Sequence, residues 1–236
     1  MPFHFQQFDI HQDHAAMKVG TDSDLLGALC AGGNRILDIG TGTGVLSLML
    51  AQRYPEAQIT AIEIDENAVR DAQMNFSQSK WSHRIKLQHI SLQDYLIAHP
   101  DPSFDCIVCN PPYFHRSLEC PNPARTRARH TSSLPFTILI QGAYGLLEED
   151  GLFSVCIPPE VLQDFLTISR QTGFSIQHNY IIKTNPQKGP KRHVLILKKG
   201  IVSQPQDEVF CMRNSDHTRS DWYLNLMKDF LICGKL

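Results

Sequence analysis

Residues Leu37 to Gly44 read Leu-Asp-Ile-Gly-Thr-Gly-Thr-Gly, directly after one apolar run and directly before another. Glycines on alternate positions between a strand and a helix leave few folds open. Glycine takes φ > 0 without a Cβ penalty and lets backbone approach a ligand closely. The run Arg35-Ile36-Leu37-Asp38-Ile39 reads as a buried strand, and Val45 to Arg53 as a helix that ends before Pro55. The helix start presents free N–H groups to whatever lies over the turn.

The rest of the chain repeats this strand–helix alternation. Strands are expected at Gln58 to Glu63, Ile85 to Ile90, Phe104 to Cys109 and Leu152 to Ile157. Helices are expected from Asp65, which caps one running towards Phe76, at Phe136 to Leu147 with a stop at Gly151, and at Val161 to Arg170. Ser175 to Ile182 and His193 to Leu197 can form a closing antiparallel pair. This pattern predicts an α/β fold with a mostly parallel sheet. A core at residues 34–200 is then preceded by a segment, 1–33, and followed by 201–236. That tail reads as a short strand from Val209 and an amphipathic helix, Trp222 to Leu231, on the same domain. A length of 236 residues, 42% hydrophobic and 19% charged, suits one globular domain.

Other classes are disfavoured. The net charge of -2 carries no global nucleic-acid signature, so any such site rests on local clusters. No run of about 18 apolar residues supports a membrane span. Met1 to Ile10 lacks the Lys or Arg and the apolar stretch of a signal peptide. The seven cysteines fall mostly in apolar runs, as expected of reduced thiols in a cytoplasmic protein. Cys106 and Cys109 lie in a strand with their sulfurs on opposite faces, so core packing is expected and not zinc or redox work. The eleven histidines form no ligand-spaced pair on a helix, and no metal is assigned. His11 and His14 read as loop residues, and Trp81 has no assigned role.

Acids follow the strands. Asp38 precedes Gly40 by two residues, Glu63 ends the second strand and Asp94 follows the third. Glu63 is placed to accept both hydroxyls of a ribose. A glycine turn alone also fits an unrelated α/β chain; the three acids narrow the choice. The spacing is G-x-G-x-G, not the G-x-G-x-x-G of nucleotide-dependent dehydrogenases.

The fourth strand ends in Asn110-Pro111-Pro112-Tyr113, followed by Phe114. Carboxyl ends of strands line the ligand crevice of an open α/β sheet, so this tetrapeptide is expected beside the turn. An exocyclic amino group or an amide is a poor nucleophile because its lone pair is delocalised. The Asn110 side-chain oxygen and the Pro111 carbonyl can each accept one of its N–H groups and favour a pyramidal nitrogen. Pro111 and Pro112 fix the backbone that aims the carbonyl. Asn110 is then an acceptor and not a general base, and Tyr113 and Phe114 offer faces for stacking on a ring.

Together, the turn, the Glu63 strand end and Asn-Pro-Pro-Tyr resemble the class I methyltransferases that act on adenine N6, guanine N2 or glutamine amides. The N-terminal residues His11-Gln12-Asp13, Met17-Lys18-Val19-Gly20-Thr21-Asp22 and Leu25-Leu26-Gly27-Ala28 resemble the bacterial tRNA1(Val) (adenine(37)-N6)-methyltransferases. The likeness runs from about Phe5 to Leu231 and departs at Ser23, where glycine is more usual. It implies a Rossmann-like, mostly parallel seven-stranded sheet with helices on both faces. It implies S-adenosyl-L-methionine as cofactor, held by Asp38, Gly40, Thr41, Gly42, Gly44, Glu63 and Asp94, with Lys18, Thr21 and Asp22 packed over it. Asp38 serves the methionine amino group and Asp94 the adenine. The implied substrate is tRNA, met by a monomer.

Two basic stretches suit such a substrate. Arg116, Arg125, Arg127 and Arg129 follow the tetrapeptide; Lys183, Lys188, Lys191 and Arg192 form the second, expected in a loop. Phosphate contacts of this kind position RNA without reading its sequence. Other amino substrates remain open: rRNA guanine N2, DNA adenine N6 or a release-factor amide. The amide enzymes usually carry a helical domain before the glycine turn, and about 33 residues are too few for one. A catalytically silent cofactor- or RNA-binding module is a further alternative, disfavoured by Asp38, Asn110 and Tyr113.

Overall fold

A computed structural model describes residues 2–112 and 134–232 of the chain. Two short strands, β1 (Phe3–His4) and β2 (Asp9–Ile10), pair antiparallel with each other. Helix α1 (Thr21–Leu29) leads to β3 (Arg35–Ile39), α2 (Val45–Arg53), β4 (Gln58–Glu63) and α3 (Glu66–Gln78). Next come β5 (Ile85–His89), α4 (Leu92–Ala98) and β6 (Phe104–Cys109). The second half holds α5 (Phe136–Leu146), β7 (Leu147–Ile157), α6 (Pro159–Thr172), β8 (Phe174–Lys183), β9 (Pro190–Lys199), β10 (Gln206–Cys211) and α7 (Asp221–Met227).

The central sheet runs β10-β8-β9-β7-β6-β3-β4-β5. Only β9 is antiparallel to its neighbours. Parallel strands are covered on both faces, which is why β3 and β6 are almost wholly buried. Two apolar clusters fill those faces, one holding Ile36 and Cys106, the other Leu37 and Cys109. The two cysteines therefore face opposite ways, as alternation demands, and burial pushes both thiols above their ordinary range. Register places Ile39 level with Ile62 and Cys109, so the ends of β3, β4 and β6 share one edge.

Several boundaries differ from expectation. The sheet has eight strands, not seven, because β10 adds parallel to β8, with the Asn179 amide donating to Asp207 at 3.0 Å. Its residues are mostly exposed at the sheet edge, so no apolar run marks it and it begins at Gln206 rather than Val209. Strand β7 starts at Leu147, pairing with Phe104 before a register shift. Gly151 is thus not a helix stop; a Cβ there would sit 3.1 Å from the Phe104 carbonyl oxygen. The last helix is shorter than expected, capped by Ser220, whose hydroxyl accepts the Tyr223 N–H.

Trp81 gains an account. It is buried with its edge towards Phe8, which stacks on Phe5 at 4.5 Å, and Phe5 bridges to Leu231. It anchors the β1–β2 hairpin close to where Phe5 meets Leu231. No helix among the described residues is long and apolar enough to cross a membrane.

Candidate active site

The turn after β3 is built as its sequence demands. Gly40, Gly42 and Gly44 have φ of 70°, 58° and 84°, in the left-handed region. A Cβ on Gly40 or Gly42 would meet no atom within 4 Å, so the backbone there borders open space. Gly44 lies against the Phe76 ring, which a Cβ would meet at 2.4 Å.

Asp38 is fully buried beneath this turn. Its Oδ2 accepts the hydroxyls of Thr41 at 2.6 Å and Ser47 at 2.7 Å, while Oδ1 is buried and accepts no hydrogen bond. Burial pushes its pKa up to about 6; the two hydroxyls oppose that shift and the nearby Glu63 adds to it. A buried acceptor left bare is costly, and a cationic donor would offset that cost. Glu63 closes the turn from β4: Oε2 accepts the Gly42 N–H at 2.9 Å, and Oε1 those of Ile64 at 2.8 Å and Asp65 at 2.9 Å.

Asp94 follows β5 in the first turn of α4, where its Oδ2 accepts the Ser91 hydroxyl at 2.6 Å and its N–H donates back to Ser91 at 3.0 Å. The pair caps the helix, with the carboxylate exposed.

The segment before α1 is clamped to α3 by two residues that the sequence reading missed. Asp71 accepts the N–H groups of His14 at 3.0 Å and Ala15 at 2.7 Å, and bonds the His14 ring at 2.7 Å. Burial pushes its carboxyl up, but these bonds outweigh burial and leave it below its ordinary value. Asn75 accepts the His11 N–H at 2.7 Å and donates to the carbonyls of His11 and Thr43, both at 2.8 Å. One amide thus ties the segment to the glycine turn. The available signal was polar residues on the buried face of α3, between Ala68, Ala72 and Phe76.

Asn110 follows β6 immediately, half-buried, with Pro111 buried and Pro112 half-buried behind it. It lines a cavity of about 340 Å³ together with Lys18, Thr21, Asp22, Lys191, Arg192 and Met212. Lys18 is held by the carbonyls of Gln12 and Ala15, the latter at 2.9 Å. Lys191 and Arg192 are not in a loop: they belong to β9, and only Lys188 lies in the connection before it. Arg192 is also not a plain surface cation. Its Nε donates to Asp22 Oδ1 at 2.7 Å and its Nη1 to the Lys191 carbonyl at 2.7 Å. Tyr113, Phe114, Arg116, Arg125, Arg127 and Arg129 lie outside the described residues.

The edge therefore offers two environments: a carboxylate-rich turn suited to a cationic, hydroxyl-bearing ligand, and an adjacent cavity with an amide oxygen and three cations. The methyltransferase small domain family matches residues 15–157. Proteins named tRNA1(Val) (adenine(37)-N6)-methyltransferase are similar over nearly the whole chain. That of Bacteroides thetaiotaomicron is 43% identical over 98% of this chain and 97% of its own. Those of Phocaeicola vulgatus and Vibrio campbellii are 42% and 36% identical, each over 98% of this chain and over 97% and 95% of their own. Among solved structures, one described as a predicted O-methyltransferase from Agrobacterium tumefaciens superposes with a TM-score of 0.69 at 19% identity, covering 89% of this chain and 96% of that one. P. horikoshii TYW2 in complex with MeSAdo gives 0.57 at 17%, covering 83% and 69%.

Proposed function

The chain belongs to the methyltransferase small domain family and, within it, to the tRNA1(Val) (adenine(37)-N6)-methyltransferases, and from that premise we propose that it methylates N6 of adenine 37 in tRNA1(Val), with S-adenosyl-L-methionine as donor. The observation that carries the reading is the placement of Asn110-Pro111-Pro112 at the end of β6, one strand from the glycine turn, with Asn110 on the wall of a cavity.

The residues present fit the cofactor. The bare Asp38 Oδ1 suits an ammonium group, and the open space at Gly40 and Gly42 suits a ligand lying against backbone. Asp38, Gly40, Thr41, Gly42, Gly44 and Glu63 would hold it, with Lys18 and Thr21 beside it and Asp94 towards its adenine. When bound, the cofactor supplies an electrophilic methyl on a sulfonium.

The chain's own part is positioning. The Asn110 side-chain oxygen and the Pro111 carbonyl accept the two N–H groups of the adenine amino nitrogen and direct its lone pair. Asn110 takes no proton, because that nitrogen becomes acidic only once alkylated. Holding the acceptor in line removes much of the entropic cost of a two-body reaction. Tyr113 and Phe114 are assigned to stacking on the base, and Arg116, Arg125, Arg127, Arg129, Lys188, Lys191 and Arg192 to RNA phosphates. A base in an anticodon loop is already unpaired, so presenting it to the cavity costs little. The reading extends to a monomer acting in the cytoplasm, the compartment of such a substrate.

Incubating the protein with labelled S-adenosylmethionine and total tRNA from a strain lacking it tests the reading. N6-methyladenosine at position 37 of one valine tRNA is the expected product. Label confined to rRNA, DNA or protein would move the substrate to another branch of the fold.

A further inference from the structure

We infer that Asp22 and Arg192 work as one unit that grips an RNA phosphate beside the target adenine, Asp22 being a positioning residue for Arg192 and not a cofactor ligand. The inference rests on the proposed tRNA reaction and changes the role that the sequence likeness implies for Asp22.

The cavity holding Asn110 does not include Asp38, the glycines at 40, 42 and 44, or Glu63. Asp22 therefore shares its cavity with Asn110 and not with the carboxylates of the glycine turn. It is the one acid among the described residues lining that cavity, against the cations Lys18, Lys191 and Arg192. Its charge is already committed: Oδ1 accepts Arg192 Nε at 2.7 Å, with the two side chains only 26% and 20% accessible. A second bond, Nη1 to the Lys191 carbonyl, fixes the plane of the guanidinium. The pair joins the first turn of α1 to the start of β9, across 170 residues of sequence.

A guanidinium held by its Nε edge is a rigid planar fork, the geometry that matches phosphate oxygens. Asp22 cancels one of the three cations, so the wall stays net positive. The ligand it suits carries a base amino group for Asn110 and an anion nearby, which describes a nucleotide within a chain. The other anion available to such a wall is the carboxylate of the cofactor, and the experiment separates the two.

Kinetics on full-length Asp22→Ala, Arg192→Gln, Arg192→Lys and the Asp22→Ala/Arg192→Gln double variant, with calorimetric titration of S-adenosylmethionine into each, tests the unit. Asp22→Ala and Arg192→Gln should each raise KM for tRNA about tenfold, with kcat and cofactor affinity changed less than about threefold. The double variant should be no worse than Arg192→Gln alone, since Asp22 acts through Arg192. Arg192→Lys should recover only part of the loss, because an ammonium lacks the fork. Asp22→Asn keeps an acceptor oxygen and serves if the alanine variant unfolds; its KM should fall between wild type and Arg192→Gln. Cofactor affinity lost about tenfold in Asp22→Ala, with tRNA KM unchanged, would overturn the inference and return Asp22 to the cofactor. Additive losses in the double variant would overturn the coupling. Failure of the wild-type protein to methylate tRNA would instead sink the proposed function itself.

Discussion

The turn between β3 and α2 and the cavity beside β9 sit on one edge of the sheet, yet they are assembled differently. Around the turn, partners are near in sequence: Thr41 and Ser47 reach back to Asp38, and Glu63 accepts the Gly42 N–H across a single βα unit. In the cavity, α1, the end of β6 and the start of β9 converge, and the Asp22–Arg192 bond closes a span of 170 residues. The first region draws on consecutive elements, β3 to β4, whereas the second needs α1, β6 and β9 together. Asp38 under the turn and Asp24 on α1 are each a buried acid with one bare oxygen. Asp38 lies under a turn that borders open space, while Asp24 is packed near Arg219 and Tyr223. The same chemistry reads as a ligand site in one place and as a stored cost in the other.

Substitutions can separate the two regions. The largest effect is expected of Asn110→Ala, a fall in kcat of about 1,000-fold with cofactor affinity within about twofold, measured by single-turnover transfer and calorimetry. Asp38→Ala comes next and should weaken S-adenosylmethionine binding about 100-fold. The Asp38 carboxyl is raised from 3.8 to about 6, so below about pH 6 the ligand-free protein holds a proton there that a cationic ligand must displace. Wild-type cofactor affinity should therefore drop as pH falls through about 6, and Asp38→Asn should abolish that dependence; a flat wild-type profile would remove Asp38 from the ligand. For Asp24, burial first and the neighbouring Asp22 second raise the carboxyl from 3.8 to about 7, against Arg219. Its contribution to stability is full below 3.8 and is lost as pH rises through about 7. Asp24→Asn should accordingly raise Tm by about 5 °C at pH 8 and by less at pH 5 in thermal scans. The smallest effect belongs to the rim: Lys188→Glu with Lys191→Glu should weaken tRNA binding a few-fold and flatten its salt dependence by about one unit of slope per lost phosphate contact. An unchanged slope would remove that rim from the RNA surface.

How much could be read beforehand follows the same division. The turn was legible because its glycines and Asp38 are dictated by φ > 0 and strand-end geometry, whereas the Thr41 and Ser47 hydroxyls on Asp38 were not read. The core alternation was legible because buried parallel strands are continuous apolar runs, as in β3 and β6. Strand β10 was not, since Gln206 to Glu208 are polar and exposed and only their pairing with β8 makes them a strand. That Asp94 follows β5 was legible, but its capping bond with Ser91 in the first turn of α4 was not, because sequence distance does not show where a helix begins. Asp71 and Asn75 were missed because their partners, His11, His14 and Ala15, lie on a segment whose position over α3 no local pattern reveals. Arg192 read as one of several RNA-facing loop cations until β9 brought it to Asp22.

The central claim is that the turn binds and Asn110 performs the positioning for chemistry. Methyl transfer to tRNA at saturating S-adenosylmethionine, compared between Asp38→Ala and Asn110→Ala, tests it most directly. Asp38→Ala should return to within about threefold of the wild-type rate once the cofactor saturates, while Asn110→Ala should stay about 1,000-fold slower at any concentration. Recovery of Asn110→Ala by excess cofactor would contradict the account.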